Sequence, residues 1–590
     1  MFHLLIKMNK ILPFFLLLWS LPVLAAHGLA LHGKPALPPN FQNFDYVNPD
    51  APKDGELKAA MPHGFDTLNP FSINGIAPAG IQLTHDSLMK SNANEPFSQY
   101  GLIAQDVIVS PNRRHITFTL NPKASFNDGS PITTQDVLFS FNTLREKGLP
   151  IYRTYYQDVE NVKILDDRRI QFSLKNTQNQ ELPLILGQMP ILSKTYWENK
   201  DFSKTTLDVP VSSGPYLIKN FQPNHSITYT RNPDYWAKDL NVNVGFYNFK
   251  EIKYDCYLDS TVMVEAFRSG LTDFHTENVA KRWHAEQSWP EIAQGKLITS
   301  EIPHHLPSGM QGFVFNLRNP LFQDIRVRQA LTKVLDFDWI NKNLFFNLYK
   351  RTTSYFDNSD LKAPPLPDKQ ELKLLTPYKN ILPAGTLDKP FVLENLPPRQ
   401  ALTEALELLN QAGWSVKDNV LQKDGKPFRF TLLMDAPSVP VWERIALPFI
   451  AQLRRLGIQV EIQALDLLQY KQRLDNFDYD MIVFVWGNSL SPGNEQSDYW
   501  GTSAATTPGS SNLSGIQSPA IDAIIEKVKT AQTQQELTTA AHALDRILLH
   551  HYLVIPHWYS PNTRLLHVPA LHAPEKIPLH GMDLMTWWKK

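Results

Sequence analysis

The chain has 590 residues, more than one core of roughly 250–300 residues supports, so two or more structural units are expected. Its 43% hydrophobic and 19% charged residues suit a folded globular protein, and a formal net charge of −1 argues against the basic face that a nucleic-acid partner requires. A single cysteine, Cys256, excludes an internal disulfide, while 45 prolines imply many turns and irregular connections.

At the N-terminus, Lys7 and Lys10 precede an apolar run over 11–24, broken by Pro13, Ser20 and Pro22 and ending in small residues at Ala25 and Ala26. This is the pattern of a secretory signal peptide, residues 1–25, cleaved near Ala25–Ala26. The run is shorter than the ~20 apolar residues of a membrane span. No cysteine stands at the cleavage point, so the mature chain is expected free in the periplasm and not as a lipoprotein. Further on, 115–120 and 169–174 alternate as strands. Between them Thr133-Thr134-Gln135-Asp136 opens a helix, with Val137, Leu138, Phe141 and Leu144 as its apolar stripe and Gly148 past its end. Asp136 reads as a helix-start residue. Cys256 lies in an alternating stretch and reads as structural. Helical spacing covers 324–335 and 399–412, the latter between Pro397-Pro398 and Gly413. The proline-rich stretches 361–368 and 382–398 read as surface loops. A helix over 442–456 closes at Gly457 and precedes a strand over 458–464. The continuous apolar run 481–486 suits a strand buried on both faces, and helices follow at 519–530 and 534–551. The alternation of strand and helix predicts an α/β protein.

Short catalytic, phosphate-binding and dinucleotide-binding motifs are absent from the sequence. The adjacent pairs His304-His305 and His550-His551 diverge on any regular backbone, so neither makes a metal site alone. Acid pairs such as Asp166-Asp167 are expected by chance among 58 acidic residues. No catalytic residue, metal or cofactor is therefore assigned.

Six segments, in order, carry a resemblance. They are Ile103-Ala104-Gln105-Asp106 with the stretch from Ala124 to Val137; Ser213-Gly214-Pro215-Tyr216-Leu217; Arg231-Asn232-Pro233-Asp234-Tyr235-Trp236; Arg326 to Leu331; Ala405 to Trp414; and Leu453 to Val460. Over nearly the whole mature chain the sequence resembles the family 5 solute-binding proteins of ABC importers, the oligopeptide-binding group. The segments 44–53, 254–259 and 583–588 are similar to the YejA-type subgroup, which is associated with uptake of peptides and peptide-like microcins. The resemblance implies a periplasmic-binding-protein-like type II fold with two hinged lobes and an inserted domain. One lobe would comprise 26–73, 205–303 and 557–590; the inserted domain 74–204; the second lobe 304–556; with hinges near 303–312 and 553–556. It implies a monomer that binds an oligopeptide between the lobes and hands it to an inner-membrane permease and ATPase. The family's peptide-contacting strand and loop correspond to Val485, Trp486, Gly487, Asn488 and Ser489. The acid that anchors the peptide amine in many members is replaced by Ser489, which leaves Glu495 or Asp498 as substitutes. His63, Gly64 and Phe65 correspond to the facing segment, and Phe315 and Asn316 to a strand at the cleft. Trp486 and Trp500 either stack on the ligand or belong to the core. The alternatives are a non-peptide ligand (a nickel complex, haem or a sugar) and a secreted hydrolase.

Overall fold

The computed structural model describes residues 25–177 and 179–590, so the expected signal sequence lies outside the described residues except for its last position. No helix among them is long and apolar enough to cross a membrane. The chain begins against the segment assigned to the inserted domain: Gly28–Ala30 pairs with Ser98–Tyr100, and Ala26 bridges to Val107. Strand β1 (Glu56–Met61) follows, turning Leu57, Ala59 and Met61 inward.

A four-stranded antiparallel sheet comes next, of β2 (Ala104–Val109), β3 (His115–Leu120), β4 (Val159–Ile164) and β5 (Arg169–Leu174), in the order β2-β3-β5-β4. Helix α1 (Thr134–Lys147) packs Val137, Phe141 and Leu144 into the same apolar cluster as Ile116, Phe118, Ile170 and Phe172. Asp136 starts the helix by accepting hydrogen bonds from the Thr133 N–H and hydroxyl, at 2.9 and 2.8 Å. The chain then returns to β1 and builds β6 (Tyr216–Gln222), β7 (Ser226–Arg231) and β8 (Glu251–Cys256), in the order β1-β8-β7-β6, with β1 and β8 parallel.

Strand β9 (Phe274–Thr276), helix α2 (Ala280–Glu286) and strand β10 (Ile298–Pro303) lead to the larger sheet. That sheet has five strands. β11 (Met310–Phe315) is followed by helices α3 (Ile325–Lys333) and α4 (Pro398–Gln411), then β12 (Arg429–Asp435), α5 (Val439–Arg455), β13 (Gln459–Leu465) and β14 (Met481–Trp486). Short α6 (Glu495–Trp500), α7 (Pro519–Thr530) and α8 (Gln534–His550) precede the fifth strand, β15 (Val554–Pro556). The order is β13-β12-β14-β11-β15, covered on one face by a cluster with Phe449 and Leu453 of α5 and on the other by one with Ile521 of α7 and Leu544 of α8. Finally β16 (Asn562–His567) lies between β9 and β10.

The proline-rich stretches run over the surface but are anchored. Arg546 of α8, fully buried, pairs with buried Glu371 and donates to the carbonyls of Pro364 and Pro365, at 2.7 and 3.1 Å. The chain passes between β10 and β11, and back between β15 and β16. These two passages are joined where the His304 N–H donates to the Pro561 carbonyl at 3.1 Å.

Candidate ligand-binding site

β14 is apolar throughout because it lies between β12 and β11, but its pairing is uneven. Along β11 it runs from Met481 opposite Phe315 to Trp486 opposite Met310, whereas along β12 it covers only Met481 and Ile482. Among the described residues no strand pairs with the β12 side beyond Ile482. The His557 N–H donates to the Gln311 carbonyl and the Phe315 N–H to the Leu553 carbonyl, so odd-numbered residues of β11 address β15. Even-numbered ones address β14, and the register matches them to Ile482, Phe484 and Trp486. The odd-numbered residues of β14 therefore turn away from β11: the Leu433–Ile482 pairing takes up the Val483 N–H, and the Val483 C=O with the N–H and C=O of Val485 is left on the open edge. The Val485 side chain is 51% exposed, so the expectation of a strand buried on both faces fails at this end, where β12 has parted from it.

The structure separates the expected site residues. Trp486 and Trp500 are core: both are buried, their rings lie 4.7 Å apart, and the Trp486 indole donates to the Ser511 carbonyl at 2.9 Å. Neither is free to stack on a ligand, which corrects that expectation. Phe315 and Asn316 are also buried, because β11 is an interior strand. The Asn316 amide donates to the carbonyls of Phe477 and Tyr479, at the opposite end of β14 from Trp486. Phe65 packs in the core against Phe221, and a Cβ on Gly64 would collide with Asn224, so of this trio only His63 is exposed. Asn488 fixes the loop after β14, donating to the Tyr355 carbonyl and accepting from Gln496, each at 2.8 Å. Gly487 and Ser489 are exposed.

Two recesses adjoin this strand and loop. A groove of about 280 Å³ reaches Gln311, the cross-strand partner of Val485, and is walled by Phe345, Tyr349, Trp442 and Trp558 on one side and Asn278–Lys281 on the other. A larger cavity, about 950 Å³, lies between Thr154–Glu181 and Asn494–Thr530. It is lined by Asp158, Glu181, Glu495 and Glu526. Lys529, its one cation among the described residues, is paired with Glu526 at 2.7 Å. The Glu495 carboxylate accepts from its own loop, from the Gly493 N–H at 2.9 and 3.1 Å and the Gln496 amide at 3.0 Å. Burial, and then the facing Glu495, push the Glu181 carboxyl up to about 7. The buried side-chain oxygens of Asn179 and Gln496 have no donor. The recess is thus rich in acceptors and short of cations. Asp498 is outside it and accepts from the Ser511 N–H at 3.2 Å. Glu181 had no mark in the sequence: it is one acid among many, and only folding sets it against Glu495, more than 300 positions away.

A third grouping was also missed by reading adjacent histidine pairs. His275 and Glu277 at the end of β9 meet Glu286 of α2, all buried, with their ligand atoms within 4.8 Å of one another. By contrast His551 is held at about 4 by burial, beside Arg328 and His550.

Residues 99–508 match the model of the bacterial extracellular solute-binding proteins, family 5 middle region. The chain belongs to this family. This family 5 solute-binding protein is 41% identical to the uncharacterized protein y4wM of Sinorhizobium fredii, over 96% of this chain and 87% of that one. It is 37% identical to the probable peptide-binding protein YejA of Agrobacterium fabrum (95% and 93% covered) and 36% to the peptidoglycan-binding protein YepA of the same organism (95% and 94%). Among solved structures it superposes on the oligopeptide-binding protein AppA of Bacillus subtilis, in complex with a nonapeptide, with a TM-score of 0.63 at 19% identity, over 92% of this chain and 100% of that one. On NikA of Brucella suis, in complex with Fe(III)-EDTA, the TM-score is 0.68 at 18% identity, over 91% and 100%. The fold is the type II periplasmic-binding-protein fold.

Proposed function

We propose that this family 5 protein captures extended peptides as an added strand on the free edge of β14 and delivers them, as a periplasmic monomer, to an inner-membrane permease and ATPase. The observation that carries the reading is the open backbone edge from the Val483 C=O through Val485, whose cross-strand neighbour Gln311 lines an aromatic-walled groove. Peptides of varied sequence share their backbone, and a strand edge recognises it whatever the side chains. The acid-lined cavity adjoining the same loop suits a free α-amine, with Glu495 and Glu181 as its acceptors. The peptide-binding name of one relative, YejA of Agrobacterium fabrum, and the nonapeptide held by AppA support the ligand class.

In this reading the lobes are 26–73 with 205–303 and 557–590, and 304–556; 74–204 is the inserted domain; and the paired passages near His304 and Pro561 form the hinge. Because Trp558–Tyr559 pairs with Lys350–Arg351, the last crossing in this reading moves from 556/557 to just after Tyr559.

Val485→Pro tests the proposal. It removes one N–H from the open edge and none from the β11 pairing. Affinity for a free peptide, measured by calorimetry, is expected to fall about three- to tenfold, the worth of one hydrogen bond. Unchanged binding in a folded variant rules out strand addition at this edge.

A further inference from the structure

A cluster around α2 lies directly behind the Asn278–Lys281 wall of the groove. Three side chains converge there from a short stretch of chain. His275 points inward from β9, which pairs with β16. Glu277 follows two residues on, and Glu286 closes α2. Glu277 is fully engaged: Oε1 accepts from the Val279 N–H at 2.6 Å and from Arg282 at 3.2 Å, and Oε2 accepts from Arg282 at 2.6 Å and is hydrogen-bonded to His275 Nε2 at 3.3 Å. Glu286 is the opposite. It is 3% exposed, and neither carboxylate oxygen has a hydrogen-bond donor. The His275 Nε2, 3.7 Å from Glu286 Oε1, is too distant to donate to it. A buried carboxylate without a partner carries a large desolvation penalty, and such groups are paired, bind metal or take up a proton.

The spacing fits an ion. His275 Nε2 lies 3.3 Å from Glu277 Oε2 and 3.7 Å from Glu286 Oε1. Around a tetrahedral ion with bonds of ~2.0–2.2 Å, ligand atoms are separated by about 3.3–3.6 Å. The Arg282 and Val279 bonds hold the Glu277 carboxylate as outer-shell partners hold a metal-ligating carboxylate. One imidazole nitrogen and two carboxylate oxygens are a donor set for a first-row divalent cation and leave a fourth position for water. We propose that His275, Glu277 and Glu286 form a zinc-type divalent-cation site that ties α2 to β9, behind the groove wall but with ligands that do not line the groove.

The test uses the full mature chain stripped with a chelator, then titrated with zinc sulfate against a chromophoric zinc indicator and followed by thermal melting. One equivalent is expected to bind tightly and raise the melting temperature. Glu286→Gln is expected to weaken that equivalent at least about tenfold. Its stripped form should melt no lower than the stripped parent, because the substitution removes an unpaired buried charge. His275→Gln, expected to lose the same equivalent, takes its place if E286Q does not fold. The proposal is overturned if the parent binds no saturable equivalent, or if E286Q binds zinc as the parent does. In either case Glu286 is held by a proton shared with Glu277 and not by a metal.

Discussion

Glu181 and Glu495 face each other in the cavity with no cation between them, and the pH dependence of the empty protein should show it. Burial and the Glu495 charge raise the Glu181 carboxyl to about 7 in the folded state, above its ordinary value of 4.5. The folded state therefore holds that proton more tightly than the unfolded chain. The stability it contributes is complete below about pH 4.5 and is lost as the pH rises through 7. Glu181→Gln is expected to stabilise the ligand-free protein at pH 8 by about 1–3 kcal/mol, and at pH 4 hardly at all, in denaturant unfolding at the two values. Bound to a peptide, the same pair acts in reverse. An ammonium needs the carboxylates ionised, so affinity for a free-amine peptide should rise between pH 5.5 and 8. Glu495→Gln should lower affinity for that peptide by about one to two decades at pH 8 and leave an N-acetylated one unaffected. Asp498→Asn should change neither, since Asp498 is outside the cavity. Sequence reading reached Glu495 through its place after the β14 strand, yet could not choose between it and Asp498. That choice depends on which way a six-residue helix turns its acids. Trp486 and Trp500 show the same limit: an aromatic next to a binding loop is written alike whether it packs inward or outward.

Elements with a complete local signal were legible in the sequence. His115–Leu120, Arg169–Leu174 and Pro519–Thr530 have the expected bounds, and the Thr133–Asp136 start of α1 follows from its capping residues. β14 was legible as a strand but not as a half-open one, because the parting of β12 after Ile482 is a property of the sheet and leaves no trace in either strand's own residues. The anchoring of the proline-rich surface stretch was likewise invisible, since Arg546 and Glu371 meet only after α8 has docked. Removing one member of a buried ion pair strands the other. Arg546→Leu is therefore expected to destabilise the protein by about 3–5 kcal/mol in urea unfolding, and the double variant Arg546→Leu/Glu371→Leu to regain most of that loss. A double variant as unstable as the single one would show that the contacts to Pro364 and Pro365, not the lone charge, set the stability.

At the scale of the molecule, the α/β class followed from periodicity, but the arrangement of the sheets did not. β16 inserts between β9 and β10, which are some 260 to 290 positions earlier, and β1 pairs in parallel with β8 across the whole intervening sheet. The resemblance to a known family grouped 26–73, 205–303 and 557–590 into one lobe but gave none of these pairings. If the two adjacent passages at His304 and Pro561 form a hinge, a peptide that bridges the proposed lobes should close them. Small-angle scattering is expected to show a smaller radius of gyration with peptide. At 100 times the dissociation constant the ligand should add about 2.7 kcal/mol of stability. An unchanged radius with saturating peptide would remove the hinge.

The open side of β14 is also a hazard. A bare, apolar strand edge with Val485 exposed is what neighbouring proteins use to join sheet to sheet and aggregate. Here the groove of about 280 Å³ between Trp442, Trp558 and the Asn278–Lys281 segment reaches Gln311, opposite Val485, and none of the residues lining it belongs to β14. In the proposed reading the guest strand is what covers this edge, so the ligand-free protein is the form expected to stick to its own copies.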